Sequence, residues 1–198
     1  SCYNDGMKKL IVKSQVANLE RLMLKMTGIG ADFSPVIWQH ERVYLPSNYK
    51  PARNLPRLVL RTEVTMPEDP TKYSLYLKRH IEDSGVDFVH YTSVGDYREA
   101  AGIVHQLGFR KAAEVSRQRR ELVLDPRTVI YLDRVEGLEG DYLKIEAELL
   151  EGQPVEEMRV QLLSTLATLG QETFVTQAYF DLLQTNGMDE ENTFIIEH

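Results

Sequence analysis

Charged residues recur at every second position in several segments of this 198-residue chain. Side chains two apart on a β-strand project from the same face, so each set would line one face of a strand. Guanidinium groups bind phosphate oxygens in bidentate geometry, and a lysine adds a compact positive charge. The pattern therefore predicts a surface suited to a phosphate-rich anion. The sets are Arg57 and Arg61; Arg117, Arg119 and Glu121; and Lys144, Glu146 and Glu148.

The positions between these charges are apolar, and two arrangements explain that alternation. Leu58 and Leu60 separate the first arginines, and Leu143 and Ile145 flank Lys144. In one arrangement the charged faces meet solvent while the apolar faces pack on helices. The number of strands that share the pattern favours a second arrangement, in which the sheet closes with its charged face inside.

Hydrophobic periodicity predicts the elements that position these residues. Strands are expected at 8–16, after Pro35 within 33–45, at 57–66, 73–81, 86–94, 111–125 and 128–135, and through 142–148, and helices at 17–28, 96–109, 154–170 and 174–187. This order indicates an α+β fold, a closed or nearly closed antiparallel eight-stranded β-barrel with flanking helices. We expect a single domain at 7–188, preceded by a flexible or cloning-derived end at 1–6 and followed by a tail at 189–198.

The composition of the chain argues against nucleic-acid and membrane partners. The net charge of −7 argues against a nucleic-acid partner held by bulk electrostatics. No apolar run approaches the roughly 18 residues of a membrane span, so no membrane partner is expected. The single cysteine, Cys2, permits no disulfide within the chain and predicts a reducing, cytoplasmic location. A homodimer is possible.

The histidines do not form a recognisable metal motif. No two of them have the i, i+4 spacing of a helical zinc site. His80 follows Lys78 by two residues and could share its inward face, although histidines more often lie at intermediate burial without such a role.

Five segments, in this order and spacing, resemble the CYTH superfamily, the triphosphate tunnel metalloenzymes, and are most similar to its class IV adenylyl cyclase branch. The resemblance extends from Lys13 to Leu183 and implies a barrel that binds a triphosphate-containing small molecule. The segments are LVLRTE (58–63), YLKR (76–79), VSRQRREL (115–122), IYLDRVEGLEGDYLKIEAEL (130–149) and VTQAYFDLL (175–183).

The resemblance also implies roles for individual residues. The residues expected to bind substrate phosphates are Arg57, Arg61, Lys78, Arg117, Arg119 and Lys144. Those expected to act in catalysis are Lys13, Asp133 and Glu146. Those expected to hold a Mg or Mn cofactor are Asp133, Glu146 and Glu148.

The chain departs from the family pattern where metal-binding carboxylates are expected. The family's first strand reads Glu-x-Glu-x-Lys, whereas this chain has Lys9, Ile11 and Lys13 in that frame. Lys144 stands where the first glutamate of the closing strand would be, and Glu63 replaces an arginine. Hard divalent ions require oxygen ligands. We therefore expect nucleoside triphosphate or polyphosphate binding with weakened or altered metal-dependent catalysis.

Two other functions remain open at the level of sequence. The first is an active class IV adenylyl cyclase-like or triphosphatase enzyme that uses Mg or Mn. The second is a structural scaffold for dimer contacts, which leaves the basic residues on several strands unexplained.

Overall fold

A computed structural model describes residues 6–47, 55–81, 85–175 and 177–184. Within these ranges a short helical stretch at 179–184 follows the main elements. The predicted tail and most of the predicted N-terminal end lie outside the described residues. The main elements are β1 (Met7–Val16), α1 (Leu19–Gly28), β2 (Ile37–Pro46), β3 (Arg57–Val64), β4 (Lys72–Ile81), β5 (Val86–Val94), α2 (Tyr97–Gln106), β6 (Phe109–Asp125), β7 (Thr128–Val135), β8 (Asp141–Leu149) and α3 (Val155–Thr168).

The eight strands close into one antiparallel barrel. Their order around the ring is β1-β5-β4-β3-β2-β6-β7-β8. The ring closes where β8 pairs with β1, from Lys8 opposite Leu149 to Val16 opposite Asp141. Closure leaves each strand with a partner on both sides, which removes the sheet edges. The predicted eight-stranded α+β barrel with flanking helices is confirmed.

The apolar side of the sheet faces outward and carries helices α1 and α3. Leu10 of β1 and Ile145 of β8 are fully buried there, together with Leu166 of α3 and Met26 of α1. Full burial of each such side chain contributes about 1.5–3 kcal/mol. Because this layer packs outside the barrel, the interior is left for the opposite parity, which is charged.

The predicted helix at 174–187 is shorter in the structure. Residues 174 and 175 are not helical, the helical stretch begins at Tyr179, and 185–187 lie outside the described residues. The backbone N–H of Val175 donates to the carbonyl of Lys13. The Lys13 ammonium in turn donates to the carbonyl of Gln177. These contacts with β1 hold Val175 and Gln177 before the helix begins.

A helix that crosses a membrane must be both long and apolar. None that the structure describes combines the length and the apolar character needed to cross one.

Candidate functional site

The barrel interior contains two adjoining cavities. The C-terminal cavity, which residues 174, 175 and 177–181 line on one side, has a volume of about 830 Å³. The opposite cavity, at the other end of the barrel, has a volume of about 530 Å³. Lys78 and Glu146 line both, so the two cavities meet in the middle of the barrel.

The structure places the predicted site residues inside the barrel. Four of the expected phosphate-binding residues converge on the interior. Lys78 and Arg117 line the C-terminal cavity, and Arg61 and Arg119 line the opposite one. Asp133 is fully buried beneath Arg119. The remaining predicted residues are Lys13, Arg57 and Lys144 at the C-terminal cavity, Glu148 at the opposite one, and Glu146 at both.

Glu41 of β2 holds two of the arginines. Its carboxylate accepts from Arg117 Nη2 at 2.6 Å and from Arg61 Nε at 2.7 Å. Burial acts to raise the pKa of Glu41, but Arg117 and Arg61 hold that pKa well below its usual value. Sequence reasoning missed this residue, although Gln39, Glu41 and Val43 alternate with outward-facing neighbours on the same strand.

Asp133 forms a second closed arrangement. Its two oxygens accept from Arg119 Nε at 2.6 Å and Nη2 at 2.7 Å, in bidentate geometry. The Tyr179 hydroxyl also donates to Asp133, at 2.8 Å. Burial acts to raise the pKa of Asp133, but Arg119 outweighs it and lowers that pKa to about 2. Both oxygens of Asp133 are therefore already engaged by neighbouring side chains, through these three hydrogen bonds.

Glu146 lies between two lysines. One oxygen accepts from Lys144 Nζ at 2.5 Å and the other from Lys9 Nζ at 3.2 Å. Burial acts to raise the pKa of Glu146, whereas Lys144 and Lys9 hold it well below its usual value. Burial, and next the charge of Arg119, lower the pKa of Lys144 to about 7.

This arrangement does not fit the expected Mg or Mn site. Both oxygens of Asp133 are bonded to Arg119, and both oxygens of Glu146 are bonded to lysines. Over the described ranges, no three His, Cys, Asp or Glu side chains are grouped so that they could hold a metal ion. A divalent ion would also have to displace the positive charge of Lys144 from the same volume.

Arg61, Arg117, Arg119 and Lys144 are each ion-paired with a carboxylate, and Lys13 and Lys78 differ from them in this respect. Lys13 donates to the carbonyl of Gln177 and lies 4.5 Å from the Tyr179 ring centroid. Lys78 lies 5.2 Å from the Tyr76 ring centroid. Within the described part of the chain, neither lysine forms an ion pair with a carboxylate. Loss of hydration inside the barrel lowers the pKa of each to about 8.

His80 also faces inward, on the same face of β4 as Lys78. It lines the C-terminal cavity, and its Nδ1 lies 2.9 Å from Asp87 Oδ1. Sequence reasoning had not paired these two residues. Their spacing across the β4–β5 hairpin, together with the parity of His80, could have indicated the pair.

Comparisons with known proteins agree with this fold. The family model of the CYTH domain matches residues 7–179. No protein with a curated description matches the chain by sequence. The PH1819 protein of Pyrococcus horikoshii OT3 superposes with a TM-score of 0.79 at 20% identity, over 89% of this chain and 98% of that one.

Two further solved structures share the fold. An adenylate cyclase candidate from Vibrio parahaemolyticus superposes with a TM-score of 0.74 at 15% identity, over 90% of this chain and 99% of that one. HpAC1 of Hippeastrum, an adenylyl cyclase candidate described as having a dominant triphosphatase activity, superposes with a TM-score of 0.60 at 13% identity, over 90% of this chain and 95% of that one.

Proposed function

Because this chain belongs to the CYTH domain family, we propose that it binds a triphosphate-containing small molecule inside its barrel, with metal-dependent catalysis weakened or altered. One observation carries this proposal. Lys13 and Lys78 line a cavity of about 830 Å³ without a carboxylate partner among the described residues, and enclosure lowers the pKa of each to about 8.

Carboxylates such as Asp133 and Glu41 act on these two lysines only through space, and a bound polyphosphate would give both lysines direct ion pairs. Hydrogen bonds between charged partners are roughly twice as strong as neutral ones, and they are stronger still away from water. Arg57 and Arg117 line the same cavity and add guanidinium groups to it. The description of HpAC1 as a triphosphatase supports a triphosphate as the ligand class.

The proposal of weakened metal chemistry follows from the charges around Glu146. Lys9 and Lys144 occupy both of its oxygens. Two like charges about 4 Å apart repel by about 4 kcal/mol at an effective dielectric constant of about 20. That figure is for two unit charges, so a divalent ion at this carboxylate would meet about twice that repulsion from each charged lysine, whereas a phosphate chain would be attracted by the same lysines.

We expect tripolyphosphate to stabilise the protein in the presence of EDTA. At 100 times its dissociation constant, a ligand adds about 2.7 kcal/mol to the free energy of unfolding. Lys13→Met and Lys78→Met should each remove most of that gain, as measured by urea unfolding with and without ligand. Lys8→Met is the control, because Lys8 is an exposed residue of β1 on the opposite parity. Equal gains in all four proteins, or no gain in the native one, would contradict the proposal.

We also expect binding at pH 8 to take up protons. Because the pKa of Lys13 and of Lys78 is about 8, roughly half of each is neutral at that pH. An anion raises both pKa values, so full recharging of these two lysines takes up about one proton per ligand, and recharging of Lys144, whose pKa is about 7, adds up to about one more. Calorimetry in two buffers with different ionisation enthalpies measures this uptake. The ligand's own titration cancels in the comparison with Lys78→Met, which should take up about half a proton less.

The same pKa shifts determine how the free energy of unfolding changes with pH when no ligand is bound. Between about pH 8 and the ordinary lysine pKa of 10.5, the unfolded chain binds more protons than the folded one. The contribution of Lys13 and Lys78 to the free energy of unfolding therefore rises with pH over this range.

A further inference from the structure

We propose that His80 and Asp87 form a general-base dyad that supports metal-independent hydrolysis of a phosphoanhydride bond in the C-terminal cavity. This inference rests on the proposed binding of a triphosphate in that cavity and adds an activity to it. The dyad uses none of the carboxylates that hold the arginines and lysines of the barrel.

The barrel brings the two residues together across one hairpin. His80 near the end of β4 lies directly opposite Asp87 near the start of β5 in the strand register. Both share the inward parity, and both line the C-terminal cavity. Their side chains are only 17% and 20% exposed. The pair is therefore held by two hydrogen-bonded strands rather than by a loop, and it keeps contact with the cavity.

The hydrogen bond determines which ring nitrogen can act as the base. Nδ1 of His80 lies 2.9 Å from Asp87 Oδ1. An ionised carboxylate can only accept, so Nδ1 carries the proton and donates it. In the neutral ring Nε2 is then the unprotonated nitrogen. Among the described residues, Nε2 makes no hydrogen bond, so it remains available to accept a proton from water.

The dyad adjoins the cations proposed to hold phosphate. Lys78 precedes His80 by two residues on the same face of β4. Lys13 is close enough to Asp87 for that carboxylate to raise its pKa, although burial has the larger, opposite effect. Arg57 lies opposite Lys78 in the β3–β4 register. A phosphate chain held by these cations would lie beside His80.

Water is the nucleophile in this proposal. The described lining of the C-terminal cavity contains no serine, threonine or cysteine. Its single hydroxyl belongs to Tyr179, which donates to Asp133. A general base that activates water contributes typically 10²–10⁴-fold to a rate.

The reaction balances with tripolyphosphate and water alone. Water transfers one proton to Nε2 of His80 while its oxygen bonds to the terminal phosphorus. The bridging P–O bond breaks, and its electron pair stays on the oxygen of the departing diphosphate, where Lys13 and Lys78 balance the charge. The products are orthophosphate and diphosphate, and the imidazolium then returns its proton to solvent.

The test is orthophosphate release from tripolyphosphate in EDTA, measured beside binding by calorimetry. We expect slow turnover by the native protein, a kcat about 100-fold lower in His80→Asn, and unchanged ligand affinity. Added imidazole should restore turnover to His80→Gly, which a merely structural role would not explain. Asp87→Asn should lower kcat with little change in KM, because Asp87 orients the ring.

Control variants and outcomes separate this inference from the proposed function. His90→Asn is the matched control, since His90 lies on the outward parity of β5 and should leave turnover unchanged. Binding without turnover by the native protein would overturn the dyad and leave the proposed function intact. Turnover that survives in His80→Asn, or a phosphoryl group trapped on the protein, would also overturn it. Absence of binding would overturn both.

Discussion

Replacing Asp133 with alanine is expected to lower the free energy of unfolding by about 3–5 kcal/mol, the loss typical of a broken buried ion pair. Asp133 is fully buried, and its removal leaves the guanidinium of Arg119, itself only 3% exposed, without its bidentate partner. The Tyr179 hydroxyl loses its acceptor in the same variant. Urea unfolding of the variant beside the native protein measures the change.

Two further variants test whether the orphaned charge causes this loss. Glu114→Ala breaks the Arg42–Glu114 pair, whose side chains are both 39% exposed, and should cost less than about 1 kcal/mol. Adding Arg119→Met to Asp133→Ala should recover part of the loss, because the unpaired charge is then gone. A loss of under 1 kcal/mol in Asp133→Ala alone would show that Arg119 is not dependent on this carboxylate.

Replacing Lys9, Ile11 and Lys144 with glutamate is expected to raise the affinity for Mn²⁺ at least 100-fold. In the strand register Ile11 lies opposite Glu146 and Lys9 lies opposite Glu148. The introduced carboxylates would therefore border the existing ones on two adjacent strands. Removing one unit charge about 4 Å from a divalent ion relieves about 8 kcal/mol at an effective dielectric constant of about 20. The added oxygens are also the ligands that such ions prefer.

The combined variant Lys9→Gln, Ile11→Gln and Lys144→Gln separates these two effects. It removes the lysine charges without adding carboxylates, so its Mn²⁺ affinity should lie between those of the native protein and the glutamate variant. Calorimetry measures the affinities, and circular dichroism shows whether each variant is folded. Tight Mn²⁺ binding by the native protein that Glu146→Ala abolishes would contradict the expectation and indicate a rearranged metal site.

Much of the fold was predictable because strand periodicity is a local property. Side chains on a strand alternate with period two, so a one-residue slip would move every charge to the other face. The alternation around Arg57 and Arg61 was enough to place them together on one side of a sheet. Their strand was predicted at 57–66 and spans Arg57–Val64. The alternating leucines predicted the outer face, where the helices pack.

The C-terminal segment was less predictable because a helical pattern is only a local preference. Its apolar spacing predicted a helix from residue 174, but Val175 and Gln177 form hydrogen bonds with Lys13 and the helical stretch begins at Tyr179. Tertiary hydrogen bonds to another part of the chain outweigh a preference of a few tenths of a kcal/mol per residue. Only the closed barrel presents Lys13 to this segment.

The sequence by itself determined which charged residues share one face of a strand, and the tertiary structure decided that this face lies inside the barrel and which of its charges are paired. Glu41 meets Arg117 across 76 residues of chain, and Lys9 meets Glu146 across 137. Pairing depends on the stagger between strands, which a sequence pattern does not encode residue by residue. The energy of an ion pair changes over distances of a few ångströms and with burial, so the stagger between strands decides which pairs form. In this barrel it places Arg119 against Asp133. Among the described residues it leaves Lys13 and Lys78 without a direct ion pair to a carboxylate, so both can pair with an anion.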